Sequence, residues 1–331
     1  MRAGWWLAGV SLLYLSTAGA SPAAAGERYA LVVTGASGGA QYAERYDTWR
    51  SAFVRTLEET FNYPKDHIIV LAERASDRVG EATSANVRRA VETLRRVATK
   101  DDVVLVLLIG HGTADSAGGA GGDAAKFNLV GPDLTAGEWA SLLRAVTGRL
   151  VFIDTASGSF PFLERLSARG RVVMTANDSA AQQFETVFPG FLIDAFESND
   201  ADFDRNGKVS IWEAFLSAGS AVRRWFQERG ELATERPVLD DNGDGVGIDA
   251  EGMVGTDGSL AQITYLQPDA PIVDTGDAEL TRLRRRRAEL ESELERLRAN
   301  KDSLAPDEYE TALERLLLEL ARIDRRIRSR S

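Results

Sequence analysis

Five short, unbroken runs of apolar and β-branched residues punctuate the first half of the chain, and they constrain its fold more than any other feature. They are Tyr29–Thr34 (YALVVT), His67–Leu71 (HIIVL), Val103–Gly110 (VVLVLLIG), Leu150–Asp154 (LVFID) and Arg171–Ala176 (RVVMTA). None alternates apolar with polar residues, so each reads as a strand covered on both faces, the pattern of a parallel sheet. Amphipathic segments lie between them. Arg45–Phe61 carries Trp49, Phe53, Leu57 and Phe61 at four-residue spacing, and Ala85–Ala98 has a second helical pattern. Thr135 and Glu138 form a capping box that opens a helix through Trp139, Leu142, Leu143 and Val146. Strand–helix–strand alternation predicts an α/β fold with a doubly wound, mostly parallel sheet and right-handed crossovers.

The rest of the 331 residues divides by character. Residues 1–25 read as a secretory signal: Arg2, an apolar stretch from Trp5 to Leu15 too short to span a bilayer as a mature helix, and small residues at Ala18–Ala20 and Ala23–Ala25. The alternative is an uncleaved N-terminal anchor. An exported protein, periplasmic or secreted, with no membrane span after signal removal is the expectation. Residues 26–200 hold the α/β domain. Residues 201–266 hold two Asp/Asn/Gly loops and an expected strand at Leu260–Leu266, and complete the domain. Residues 267–277 (QPDAPIVDTGD) read as a linker. In residues 278–331, Leu280, Leu283, Leu290, Leu294 and Leu297, then Tyr309, Leu313, Leu316, Leu320, Ile323 and Ile327, repeat at steps of three, four and seven. Pro306 suits a first helical position, so this segment reads as a coiled-coil helical hairpin able to self-associate.

Charge and cysteine content narrow the chemistry. The net charge is −11, and residues 26–276 carry 24 basic and 37 acidic residues against 14 and 13 in the tail. Nucleic acid is therefore an unsuitable partner, and the Arg284–Arg287 run reads as a solvated helix face balanced by nearby glutamates. There is no cysteine and there are only two histidines, His67 and His111, which excludes disulfides, thiolate metal sites, a multi-histidine centre and a thiol nucleophile.

Two loops have the spacing of calcium ligands. In 202–213 (DFDRNGKVSIWE), Asp202, Asp204 and Asn206 take positions 1, 3 and 5. Gly207 turns the chain, Lys208 offers its carbonyl, Ser210 takes position 9 and Glu213 supplies the closing carboxylate at 12. A hard cation wants six to eight oxygens, and this spacing wraps them around one point, as in an EF-hand. In 240–251 (DDNGDGVGIDAE), Asp240, Asn242, Asp244, the Val246 carbonyl and Glu251 take positions 1, 3, 5, 7 and 12. Ile248 at position 9 has no ligand atom, and no helix pattern follows Glu251. The competing reading there is a structural Asx/Gly turn. Both loops read as structural calcium sites rather than sensors.

His111 ends one apolar run and is followed by Gly112-Thr113; Thr155-Ala-Ser-Gly-Ser159 ends the next. In an open α/β sheet, sites form at such carboxyl ends. A plain reading makes His111 a hydrogen-bonded structural residue. Four short motifs in order, VVTGASGG near Thr34–Gly39, LIGHGT at Leu108–Thr113, IDTASGSF at Ile153–Phe160 and VVMTAND at Val172–Asp178, resemble the caspase–legumain–gingipain superfamily, with legumain-type peptidases the nearest likeness. The resemblance spans roughly residues 29–200 and implies a caspase-like fold with the EF-hand-like loops as insertions. It places the catalytic histidine at His111, the nucleophilic cysteine position at Ala156, the family's first-loop Asn at Ser37, and a substrate-recognising Arg at Arg45.

Alanine cannot act as the nucleophile, and a serine could only with a base in hydrogen-bond reach. Three readings follow. One is a calcium-stabilised pseudopeptidase that binds a protein or peptide. Another is a serine-type hydrolase using Ser157 and His111. The third is an envelope scaffold that works through its coiled coil. Gly35-Ala-Ser-Gly38-Gly39 lacks the spacing of a nucleotide loop. Gly118, Gly119, Gly121 and Gly122 suggest a flap beside the site, and His67 reads as structural.

Overall fold

A computed structural model of the chain describes residues 26–114, 125–251, 257–268, 277–299 and 304–329. The signal segment, the glycine-rich stretch at 118–122 and most of the linker lie outside the described residues.

The central sheet has eight strands: β1 (Arg28–Thr34), β2 (Ile68–Ala72), β3 (Gly80–Glu81), β4 (Val103–Ile109), β8 (Arg149–Asp154), β9 (Arg171–Thr175), β10 (Val238–Asp240) and β11 (Ile248–Asp249). Three two-residue strands, β5 (Gly112–Thr113), β6 (Lys126–Phe127) and β7 (Leu134–Thr135), form a small antiparallel sheet directly after His111. The main order is β11-β10-β9-β8-β4-β1-β2-β3. From β9 to β3 every pairing is parallel, and β10 runs antiparallel to both neighbours.

Helices cover both faces, which is why the strand sequences are apolar throughout. Ala30, Val32, Leu105, Leu107, Val151 and Ile153 pack with helices α1 (Ala40–Arg55), α5 (Phe188–Glu197) and α6 (Ile211–Arg229). The alternating residues Leu31, Val33, Val104, Val106 and Phe152 pack with α2 (Ser84–Val97), α3 (Ala136–Leu143) and α4 (Phe160–Leu166). Phe152, fully buried, stacks on Phe162 at 6.1 Å and meets Trp139 edge-on at 6.0 Å. Such pairs add about 0.5–1.5 kcal/mol to the gain from area burial alone.

Local chemistry sets the helix ends. The Thr135 hydroxyl accepts the Glu138 N–H at 3.1 Å and the Glu138 carboxylate accepts the Thr135 N–H at 3.0 Å, the reciprocal box expected from the sequence. Thr83 caps α2, whose buried Val87, Ala90, Val91 and Leu94 fall on one helical face. The helix expected over Arg45–Phe61 begins five residues earlier, at Ala40, and closes through a π turn at Thr56–Thr60. The strand expected at Leu260–Leu266 does not form. Residues Ser259–Gln262 make a short helix, α7, because the buried Asp241 carboxylate accepts the N–H groups of Gly258 (2.8 Å) and Ala261 (2.6 Å). Only Tyr265 makes a bridge, to Ser210.

Two further helices, α8 (Ala278–Ala299) and α9 (Pro306–Arg328), pack against each other. Leu283, Leu290, Leu294, Leu316 and Ile323 form their seam, flanked by ion pairs of Arg286 with Glu319 (2.9 Å), Arg287 with Asp324 (3.2 Å) and Arg326 with Glu279 (2.8 Å). Pro306 stands at the start of α9, where its missing N–H leaves no helix bond unmade. No described helix is long and apolar enough to cross a membrane.

Candidate functional site: a histidine cluster and two acidic loops

The carboxyl ends of β1, β4 and β8 lie side by side, and the sequence-marked residues gather there. His111 follows β4 and is partly exposed. The Tyr46 hydroxyl lies 3.1 Å from its Nε2 and 3.3 Å from its Nδ1, and the Tyr42 ring meets the imidazole edge-on at 4.8 Å. Burial pushes the His111 pKa below its ordinary value. The Glu185 charge and a bond to the Ser37 backbone pull the other way without reversing it. The imidazole is therefore neutral near pH 7, the form in which it can accept a proton.

Among the described residues, no serine or threonine hydroxyl is hydrogen-bonded to His111. Ala156, fully buried, occupies the turn after β8. Ser157 is 4% exposed, and its hydroxyl donates to the Gly112 carbonyl at 3.2 Å while accepting the Gly112 N–H at 3.3 Å. Both its bonding roles are taken by backbone, and no hydrogen bond joins it to His111 among the described residues. Gly112 is required there, because a β-carbon would collide with the Ser157 carbonyl oxygen. Asp154 does not orient the histidine: its carboxylate accepts the Ala156 N–H at 3.0 Å, and burial pushes its pKa up to about 7. Ser37 is also buried, donating to Glu73 Oε2 at 2.7 Å.

Arg45 pairs with Glu185 and sits 6.0 Å and 5.9 Å from the rings of Tyr42 and Trp49. Tyr42, Tyr46 and Trp49 recur at four and three residues along α1, so one helical face presents aromatic rings beside His111. Tyr42, Tyr46, Glu73 and Glu185 were missed at the sequence level. The aromatic spacing along α1 was the only signal that pointed to any of them. His67 lies elsewhere, stacked on Tyr29 at 4.3 Å with its Nδ1 3.1 Å from the Arg28 carbonyl, a structural placement.

The first acidic loop is assembled. Carboxylate oxygens of Asp202, Asp204 and Glu213 lie within 4.8 Å of one another. Asp202 accepts the N–H groups of Asn206 (3.0 Å) and Gly207 (2.8 Å), so the loop coils around it, with Gly207 at φ 88° making the sharp turn. The Asn206 amide bonds Asp204 Oδ2 at 2.9 Å, and Asn206 Oδ1 accepts the Lys208 N–H at 2.9 Å. Ser210 and Glu213 form a second capping box, starting α6, so the closing carboxylate is fixed by the helix that follows it. Burial, together with the nearby Glu213 charge, raises the Asp204 pKa. Oxygen donors so crowded fit a hard cation.

The second loop is not closed. Asp240 accepts from Gly243 (2.8 Å), Gly245 (2.6 Å) and the Ser167 hydroxyl (2.6 Å), and Asn242 bonds Asp244 at 3.1 Å. Glu251, expected at its twelfth position, instead pairs with Arg223, because the chain leaves the loop through β11 beside β10. Val246 is exposed. The loop is held from outside by Asp257, which accepts the N–H groups of Asp241 (2.9 Å) and Asn242 (3.1 Å). The structure thus joins Asn242 to Asp244, ties Asp240 to Ser167 and the loop backbone, and leaves Glu251 with Arg223, an arrangement closer to the structural-turn alternative.

No protein-family model matches the chain, and no curated protein matches it. Among solved structures, a crystal structure of a Geobacter sulfurreducens protein is similar at 14% identity, covering 65% of this chain and 92% of that one, with a TM-score of 0.41. The chain has a mixed α/β fold with a mostly parallel central sheet.

Proposed function

We propose that the chain is an exported, calcium-binding, caspase- or legumain-like pseudopeptidase whose histidine face binds a protein or peptide. The observation that carries this reading is a partly exposed His111 after β4 with a fully buried Ala156 after the neighbouring β8, where the peptidases it resembles would have their nucleophile. The resembling motifs end neighbouring parallel strands, as such a sheet requires: Ser37 after β1, His111 after β4, Ala156 after β8. The half-buried Tyr42 and Trp49 rings on α1 and the Arg45–Glu185 pair offer stacking and charge to a ligand chain. Calcium at Asp202, Asp204, Asn206, the Lys208 carbonyl, Ser210 and Glu213 would tie the 202–210 loop to the first turn of α6 and stabilise the domain. The coiled-coil hairpin is an additional association surface.

The test is incubation of the purified protein, with calcium, with a degenerate peptide library. Retention of peptides without new termini in mass spectra is expected. Cleavage that disappears in His111→Ala would overturn the reading. The hydrolase alternative predicts fluorophosphonate labelling at Ser157; the backbone bonds of that hydroxyl argue for no label.

A further inference from the structure

The hairpin has an uneven charge distribution that its near-neutral total conceals. Residues 279–289 and 319–329, the halves of α8 and α9 that adjoin each other at one end, hold nine arginines against four carboxylates. The described residues of the other end, 290–299 and 304–318, hold three basic residues against seven acidic ones. The basic end carries a groove of about 430 Å³ where five arginines, Arg285 and Arg322 among them, outnumber Glu289 and Glu319 over Leu283 and Ile323. Arg285 and Arg322 make no ion pair among the described residues.

The same polarity runs along α9 alone. Asp307, Glu308, Glu310 and Glu314 with Arg315 occupy its first half; in its second, Glu319, Asp324 and Arg326 pair with α8, which leaves Arg322, Arg325 and Arg328. Leu317 and Leu318 stand at its midpoint, 45% and 50% exposed, outside the seam with α8. Two such helices laid antiparallel about Leu317 and Leu318 match carboxylates to arginines at both ends and cover the leucines between them. A two-fold interface has this self-complementary form. A parallel arrangement would set acid on acid and base on base.

We propose that α9 is a homodimerisation surface, its occupant the α9 of a second copy running antiparallel, so that the two hairpins make a four-helix assembly. The arrangement also keeps the α/β domains apart. Residues 26–276 carry a balance of −13, and a helix of 23 residues spans about 35 Å, several times the screening length of about 8 Å at physiological salt. The proposal is independent of the pseudopeptidase reading.

The absence of cysteine makes the test clean. Light scattering on the full chain should give twice the chain mass, and Leu317→Glu with Leu318→Glu should give the monomer with unchanged helical circular dichroism. Single variants Glu310→Cys and Arg325→Cys, about 22 Å apart along one helix, should cross-link under mild oxidation only when mixed. A monomeric full chain at low salt overturns the proposal. So does cross-linking of Glu310→Cys with itself to the same extent as in the mixture, which would mean a parallel pair.

Discussion

Replacing Asp154 with asparagine should change how stability depends on pH. Asp154 ends β8, is 1% exposed, and gives one carboxylate oxygen to the Ala156 N–H while the other has no partner among the described residues. Burial pushes its pKa from 3.8 up to about 7. Between those values the folded chain holds a proton that the unfolded chain releases. Stability from this group is therefore full below pH 3.8 and is lost as pH rises toward 7. Each pH unit in that window costs about 1.4 kcal/mol, less near the upper end where the folded carboxyl itself ionises, so about 2 kcal/mol is lost between pH 5 and 7. An asparagine side chain has no such proton to lose, so the Asp154→Asn variant should gain about 2 kcal/mol on the native protein across that window. Its amide costs about 1–3 kcal/mol if left unpaired, but at every pH alike, which shifts the curve without tilting it. Urea denaturation at pH 5, 6 and 7 reads the difference. Parallel stability curves for the two proteins would refute the reasoning.

Three other expectations concern the core, the histidine and the loops. Phe152→Ala should cost about 3–5 kcal/mol by denaturation, since it empties a stacked, fully buried position between Trp139 and Phe162. Tyr46→Phe should raise the His111 pKa, because it removes a hydroxyl placed to donate to the neutral ring. A bond worth about 0.5–1.5 kcal/mol amounts to about half a unit to one unit in an NMR titration. Glu213→Gln should weaken calcium binding at least about tenfold by calorimetry, whereas Glu251→Gln, at a residue turned to Arg223, should not change it.

Much of the fold was legible because its strands are buried on both sides. Val103–Ile109 announces itself by seven apolar residues in a row, all buried. Strands β10 and β11, three and two residues long, are too short to leave a pattern. Leu260–Leu266 looked like a strand because apolar residues crowd it. Its conformation is decided instead by Asp241, some twenty positions away, which caps a helical turn. The site divides in the same way. His111 and Ala156 could be placed from local motifs. Their surroundings could not: Tyr46 reaches His111 across 65 residues, and Glu185 reaches Arg45 across 140. The clustering of acidic residues in the first loop was readable because they and the helix that follows are contiguous in the chain. The second matched the same pattern through its early positions, but its last carboxylate follows an arginine on α6.

The presence of only two histidines, one in each environment, makes the central claim directly measurable. Protein labelled at histidine gives one resonance set for His111 and one for His67. Titrated with peptides retained from the degenerate library, in calcium, the His111 signals should move to saturation while those of His67 stay in place and the peptide spectra remain intact. Peptide signals converting to cleaved products, or saturation binding that leaves His111 unmoved, would contradict the account.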